Sequence, residues 1–326
     1  MKVKTVQIWF ALLCVILFAG LFESAAQKSG DVFSVVWSPD GTKIAGSGAD
    51  GLLKIWDDSG HELRTIDGSE GNIVAVAWSP DSSKIASGDE YGVVKIWDAN
   101  SGELLATFTA HDGDVQSVEW KPDGTQILTS SFNDLLSLKI WDAATYQVIA
   151  SRNAGGVLDA HWSQDGTKIV AAKDNGYTSI LSPDLKNTTG LLGHESIWSA
   201  NWNFDASRIV SGNSEGEVAI WNAVKGIQVA TLVGHTDEVN VVVFSPNGQL
   251  IASASADQTV KIWDVVSGEN IATFSRPPIY CKSLAWSPDG TQLAYGGEEG
   301  TVHIVPAPDV DLVSPTAKAI PTAQGN

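Results

Sequence analysis

Lys54-Ile55-Trp56-Asp57 returns along the chain as Lys95-Ile96-Trp97-Asp98, Lys139-Ile140-Trp141-Asp142, Ala219-Ile220-Trp221-Asn222 and Lys261-Ile262-Trp263-Asp264. Between the copies lies a second element, an aromatic followed by Ser-Pro-Asp-Gly or a variant of it. Its aromatic is Trp37, Trp78, Trp120, Trp162, Trp202, Phe244 and Trp286, at steps of 41, 42, 42, 40, 42 and 42 residues. A period near 40 with Trp-Asp endings reads as four-stranded units set around an axis, each burying its faces against its neighbours.

Within a unit the pattern predicts four strands. The innermost runs up to the aromatic, as in Val32 to Trp37 or Val239 to Phe244. Ser38-Pro39-Asp40-Gly41 then reads as a type I turn, Pro setting φ and Gly closing it. A second strand begins seven residues after each aromatic, at Ile44, Ile85, Ile127, Ile169, Ile209, Ile251 and Leu293. The third strand alternates β-branched residues, as in Val94-Lys95-Ile96-Trp97, and the outer one is amphipathic, as in Asn270 to Phe274.

These residues resemble the WD-repeat family of β-propellers, over residues 31–310. The resemblance implies an all-β fold, a seven-bladed propeller of four-stranded antiparallel blades, and the seven aromatics agree with that number. The Trp-Ser-Pro-Asp-Gly element alone also looks like propellers of the bacterial periplasmic Tol type, but the Trp-Asp endings favour the WD family. Two blades depart from the pattern: Leu181-Ser182 stands for Trp-Asp in the fourth and Val305-Pro306 in the seventh. Pro306 cannot donate to a ladder, so the third strand of blade seven should end there. The outer strand of that blade could come from residues 310–313 or from residues 21–26.

The chain divides into 1–26, 27–310 and 311–326. Lys2 and Lys4 precede an apolar run from Val6 to Phe22, and Ser24-Ala25-Ala26 supplies small residues, which together read as a cleaved signal peptide with Gln27 as first mature residue. A membrane anchor over residues 6–22 is the alternative. The expected location is therefore secreted, periplasmic or otherwise extracytoplasmic. Residues 315–326, rich in Ala, Thr and Pro, read as a flexible tail. After cleavage Cys281 alone remains of the two cysteines, so no internal disulfide is expected. Asn187-Thr188-Thr189 would be a glycosylation acceptor in a eukaryotic secretory route. A formal charge of −18 argues against nucleic acid and against anionic lipid as partners, because both need Lys and Arg.

A propeller full of Asp, His and Ser can imitate a hydrolase. In blade six, His235, Ser253, Asp257 and Trp263 match the spacing of the family's structural tetrad, so the resemblance implies a satisfied buried network, not catalysis. Blade three offers His111, Thr129, Asn133 or Asp134, and Trp141; blade five offers His194, Ser211, Glu215 and Trp221. Blade two keeps Ser87 and Trp97 but has Tyr91 for the acid and no His. Rigidity should then concentrate in blades three, five and six. The expectation is a protein without catalytic residues, cofactor or metal. The competing reading is an extracytoplasmic enzyme or metal-binding protein built on Glu119, Asp159, His161 and Asn201, which fall together on the inner strands of blades three to five.

In the WD-repeat family partners engage residues six and four before each aromatic and the residue before the tetrad acid. Carried over, the first position includes Asp31, Asn72, Asp114, Gly156, Ser196, Glu238 and Tyr280. The second is Phe33, Val74, Gln116, Leu158, Trp198, Asn240 and Lys282, and the third includes Glu90 and Glu298. Phe33, Leu158, Trp198 and Tyr280 would be apolar groups ringed by acids at the mouth of the channel, a combination that suits a binding surface. The resemblance thus implies a scaffold for a protein or peptide carrying a basic segment.

Overall fold

A computed structural model of the chain describes residues 30–192, 196–275, 283–296 and 301–308. The leader and tail segments, both candidate closing strands, both cysteines, His194, Tyr280, Lys282 and Glu298 lie outside the described residues. The rest forms seven antiparallel sheets with no helix among the described residues. Six sheets have four strands in sequential order, and the seventh shows three, Leu284–Trp286, Gln292–Gly296 and Val302–Pro306.

Local chemistry explains why each hairpin forms. In blade one the Ser38 hydroxyl donates to Asp40 (2.6 Å) and accepts from the Lys43 N–H (3.0 Å), while Gly41 N–H returns to the Ser38 carbonyl (2.8 Å). Gly41 takes φ +73°, the left-handed value that closes the turn. The same Ser and acid pair recurs as Ser79 with Asp81, Ser163 with Asp165 and Ser287 with Asp289. Second strands begin one residue earlier than the pattern suggests in every blade but the fourth, at Lys43, Lys84, Gln126, Arg208, Leu250 and Gln292.

The Trp-Asp ending divides its labour. Trp56, Trp97, Trp141, Trp221 and Trp263 are all buried in the core. The following acid or amide caps the next turn: Asp98 accepts from Ser101 N–H (2.7 Å), and Asn222 does the same for Lys225 (2.8 Å). Blade four keeps its third strand, Tyr177–Leu181, without that Trp, because Leu181 fills the buried position.

The inner strands Val32–Trp37, Ile73–Trp78, Val115–Trp120, Val157–Trp162, Ile197–Trp202, Val239–Phe244 and Leu284–Trp286 each contact the next, and the last contacts the first. That closes a ring around a channel. The core lies between blades: Ala45, Leu53 and Ile55 of blade one pack with Ile73, Val76, Trp78, Ile85 and Trp97 of blade two. Each such aliphatic side chain contributes about 1.5–3 kcal/mol by leaving water. At the seam, Ala294, Ala285, Val302 and Ile304 of blade seven pack on Val32, Val35, Trp37 and Trp56 of blade one, and Ser283 Oγ donates to the Val35 carbonyl (2.7 Å). Blade one draws all four of its strands from residues 32–67, so the described seam is closed by packing without a shared strand.

Candidate functional site at the channel mouth

Each described four-stranded blade has the same irregularity at the start of its inner strand. Val32 pairs with Gly48 and Ser34 with Ser47, so the register passes over Phe33. Val74, Gln116, Leu158, Trp198 and Asn240 are skipped in the same way. Two residues against one is a β-bulge, which re-aims a side chain that the pleat would otherwise send to one face of the sheet. The six bulge residues fall on the positions carried over as the second contact position, and every one is half-buried; both sequence neighbours in the strand are buried except at Leu158, where Asp159 is half-buried too. They form a collar around one end of the channel: Phe33, Val74, Leu158 and Trp198 apolar, Gln116 and Asn240 polar.

Around this collar stand the first-position residues. Asp31, Asp114 and Glu238 are half-buried, and burial, helped by the neighbouring Asp237, pushes the Glu238 carboxyl up. Asn72 is buried and donates from its backbone N–H (3.0 Å) and its amide (2.8 Å) to the two oxygens of Glu90. Glu90 is thereby engaged by its own chain. Trp198 corrects the picture of an exposed aromatic: its ring is half-buried and its indole N–H is shielded from solvent with no hydrogen-bond partner. A partner would meet the ring's carbon edge, not its donor.

Deeper in the channel, His161 lies between two acids. One ring nitrogen faces Glu119 of blade three (3.3 Å) and the other Asp159 of its own blade (2.8 Å). Glu119 also accepts from the Trp162 N–H (2.5 Å), and Ser199 Oγ of blade five donates to Asp159 (2.9 Å). Burial alone would lower the imidazole pKa. The carboxylates of Asp159 and Glu119 outweigh it and hold His161 well above the usual range. The result is an imidazolium clamped across blades three to five. Asn201 does not hydrogen-bond to any of the three. Metal chemistry needs donors converging on one point, whereas here the imidazole separates the acids; among the described residues no group of three or more His, Cys, Asp or Glu could hold a metal ion.

The buried networks form in blades six and three. Trp263 Nε1–H donates to Ser253 Oγ (2.8 Å), Ser253 Oγ faces His235 Nε2 (2.8 Å), and His235 Nδ1 faces Asp257 (2.8 Å). Blade three repeats this with Trp141, Thr129, His111 and Asp134, at 3.0, 2.8 and 2.8 Å, which selects Asp134 over Asn133. Burial lowers both His235 and His111, so the rings are neutral and a single tautomer satisfies the chain of donors. Ser253 is fully buried and already accepts the indole, so it presents no nucleophile to a substrate. In blade five Trp221 donates to Ser211 (2.8 Å). Blade two holds a substitute that the sequence reading missed: Ser69, where the others have His, donates to Asp89 (2.9 Å), while Trp97 donates to Ser87 (2.9 Å). The signal was Gly68-Ser69 standing where blade six has Gly234-His235.

Comparison with known proteins follows the same repeat. The family model for the WD domain, G-beta repeat, matches residues 22–57, 185–222, 226–264 and 268–305. The chain is a β-propeller that carries WD repeats. A second family model, eukaryotic translation initiation factor eIF2A, matches residues 56–177 of this propeller. A curated relative from Oryza sativa subsp. japonica, the chromatin assembly factor 1 subunit FAS2 homolog, is 34% identical over 65 residues, or 20% of this chain. The match spans only 13% of the relative's length. A WD-repeat scaffold supports a protein-binding role. One catalytic spelling in the propeller leads elsewhere: Gly212-Asn213-Ser214-Glu215-Gly216 has the Gly-x-Ser-x-Gly form, but it joins strands Arg208–Asn213 and Val218–Asn222. The nucleophile elbow requires a strand followed by a helix.

Proposed function

We propose that this chain is an exported, non-enzymatic scaffold that holds a protein or peptide segment over the mouth of its channel. The observation that carries the reading is the collar of six bulges. A repeated irregularity that turns Phe33, Val74, Gln116, Leu158, Trp198 and Asn240 to one rim costs ladder pairing in each described four-stranded blade, which suits a surface kept for contact. Asp31, Asp114 and Glu238 beside the collar favour a segment bearing Lys or Arg and would make association faster at low salt. The rice relative is by its name a subunit of an assembly factor, which favours binding over catalysis in the same coarse sense. Export rests on the charged start, apolar run and small-residue exit of residues 1–26.

The test is to capture partners from the native extracytoplasmic fraction and measure their affinity for two variants. Trp198→Ala should leave the fold intact and weaken binding by about 1 kcal/mol or more, the range of an interface anchor. Arg64→Glu on an outer strand should bind normally. The reverse pattern would put the site on the rim of the ring. Sequencing the N-terminus of exported protein should begin at Gln27; retention of residues 1–26 would favour an anchor.

A further inference from the structure

Blade three carries three more residues than blade two between its second and third strands, and the extra length shapes a groove. Phe132, Asn133, Asp134 and Leu135 of this loop face Asn153, Gly155 and Gly156 of the connection into blade four, with Asp174 at the far side, around an open cavity of about 540 Å³. The floor is packed close: a Cβ on Gly156 would come within 2.8 Å of the Phe132 ring and 3.0 Å of the Asp174 carboxylate. A side chain at Gly156 would have to displace the Phe132 ring or the Asp174 carboxylate. Leu135 forms the lip and is 76% exposed, with Leu136 beside it. The groove opens on the same face as the bulge collar, since strand starts and inter-blade connections alternate there with the turns between second and third strands.

We infer that this groove docks a protein segment that sets a Lys or Arg against Asp174 and an apolar side chain on Leu135 and Phe132. The other charged groups near the groove are already engaged. Asp134 is taken by His111 and Lys139. Arg152 spends its guanidinium on the carbonyls of Leu185 and Lys186. Among the described residues no cation forms an ion pair with Asp174, and burial pushes its carboxyl up despite the attraction of Lys173. An incoming cation would supply the missing countercharge, in a chain whose formal charge is −18. A groove open along one side covers one face of its ligand, which fits a chain segment crossing it better than an enclosed small molecule. Leu135 offers the apolar contact that such a segment would bury.

The inference rests on the protein-binding reading above but not on the collar, and the experiment separates them. The probe is a random-peptide phage library selected on the full chain, with enriched peptides synthesised and titrated by fluorescence anisotropy. Enriched peptides should pair Lys or Arg with a nearby Leu, Ile or Phe. They should bind Leu135→Ser and Asp174→Asn roughly tenfold more weakly and Trp198→Ala unchanged. Should Asp174→Asn melt early, replacing the peptide's basic residue by Glu reads the same contact from the other side. Peptides that lose affinity for Trp198→Ala alone would support the collar and overturn the groove. Peptides without a basic residue, equal affinity for Asp174→Asn, or no enrichment at all would also overturn it.

Discussion

His235 and His161 sit some tens of residues apart and are held in opposite charge states. Burial keeps His235 and His111 below the ordinary imidazole value, so the folded protein prefers them neutral. Their contribution to stability is complete above about pH 6.5 and shrinks as the pH falls through their lowered values, because the unfolded chain then binds more protons. His161 works the other way. Its raised value means full contribution below about pH 6.5 and loss as the pH climbs through the folded value. Melting temperature should therefore fall on both sides of neutrality. His161→Gln should flatten the alkaline limb and leave the acid limb; a variant with an unchanged alkaline limb would mean that the clamp carries no charge. His235→Ala should cost roughly 1–3 kcal/mol, since Ser253 and Asp257 lose a buried partner. His61, on a turn with its side chain 83% exposed, is the control, and His61→Ala should melt like the parent.

At the scale of the strand, one element stands without its polar network. Thr178 on the third strand of blade four is fully buried and its hydroxyl has no hydrogen-bond partner. Thr178→Val keeps the shape and removes the orphaned group, and should raise stability by about 1 kcal/mol in chemical denaturation. A fall of that size would reveal a partner for the hydroxyl. Hydrogen exchange should be slowest on the third strands of blades three and six, where indole, hydroxyl, imidazole and carboxylate are joined, and faster on that of blade four. The strands themselves were legible in the sequence because the aromatic, the turn and the Trp-Asp recur in register. The bulges were not: alternation of buried and exposed positions passes through an inserted residue such as Gln116 without a break in composition. Nor was the pairing of Ser69 with Asp89, since Ser stands in place of the His of the other networks and Asp89 lies two residues before the position that Asp257 holds in blade six.

Over the whole ring, blade count was legible from the seven aromatics, while the character of the mouth was not, because it depends on Trp198 turning its N–H inward and on Asn72 engaging Glu90. The seam is where the molecule is easiest to test. Gly296 lies so close to the Val32 carbonyl that a Cβ would collide with backbone. Gly296→Val should pry blade seven from blade one and destabilise by about 1–3 kcal/mol, whereas Gly190→Ala, with open space around its Cβ, should be near neutral. Equal melting of the two would place the closure elsewhere. The contiguous blades also set an order of events. Strand pairing inside a blade joins residues close in sequence, but the Ser283 to Val35 bond joins residues 248 apart. A nascent chain can thus complete its hairpins blade by blade as it emerges, while the docking of blade seven on blade one waits until both have been made.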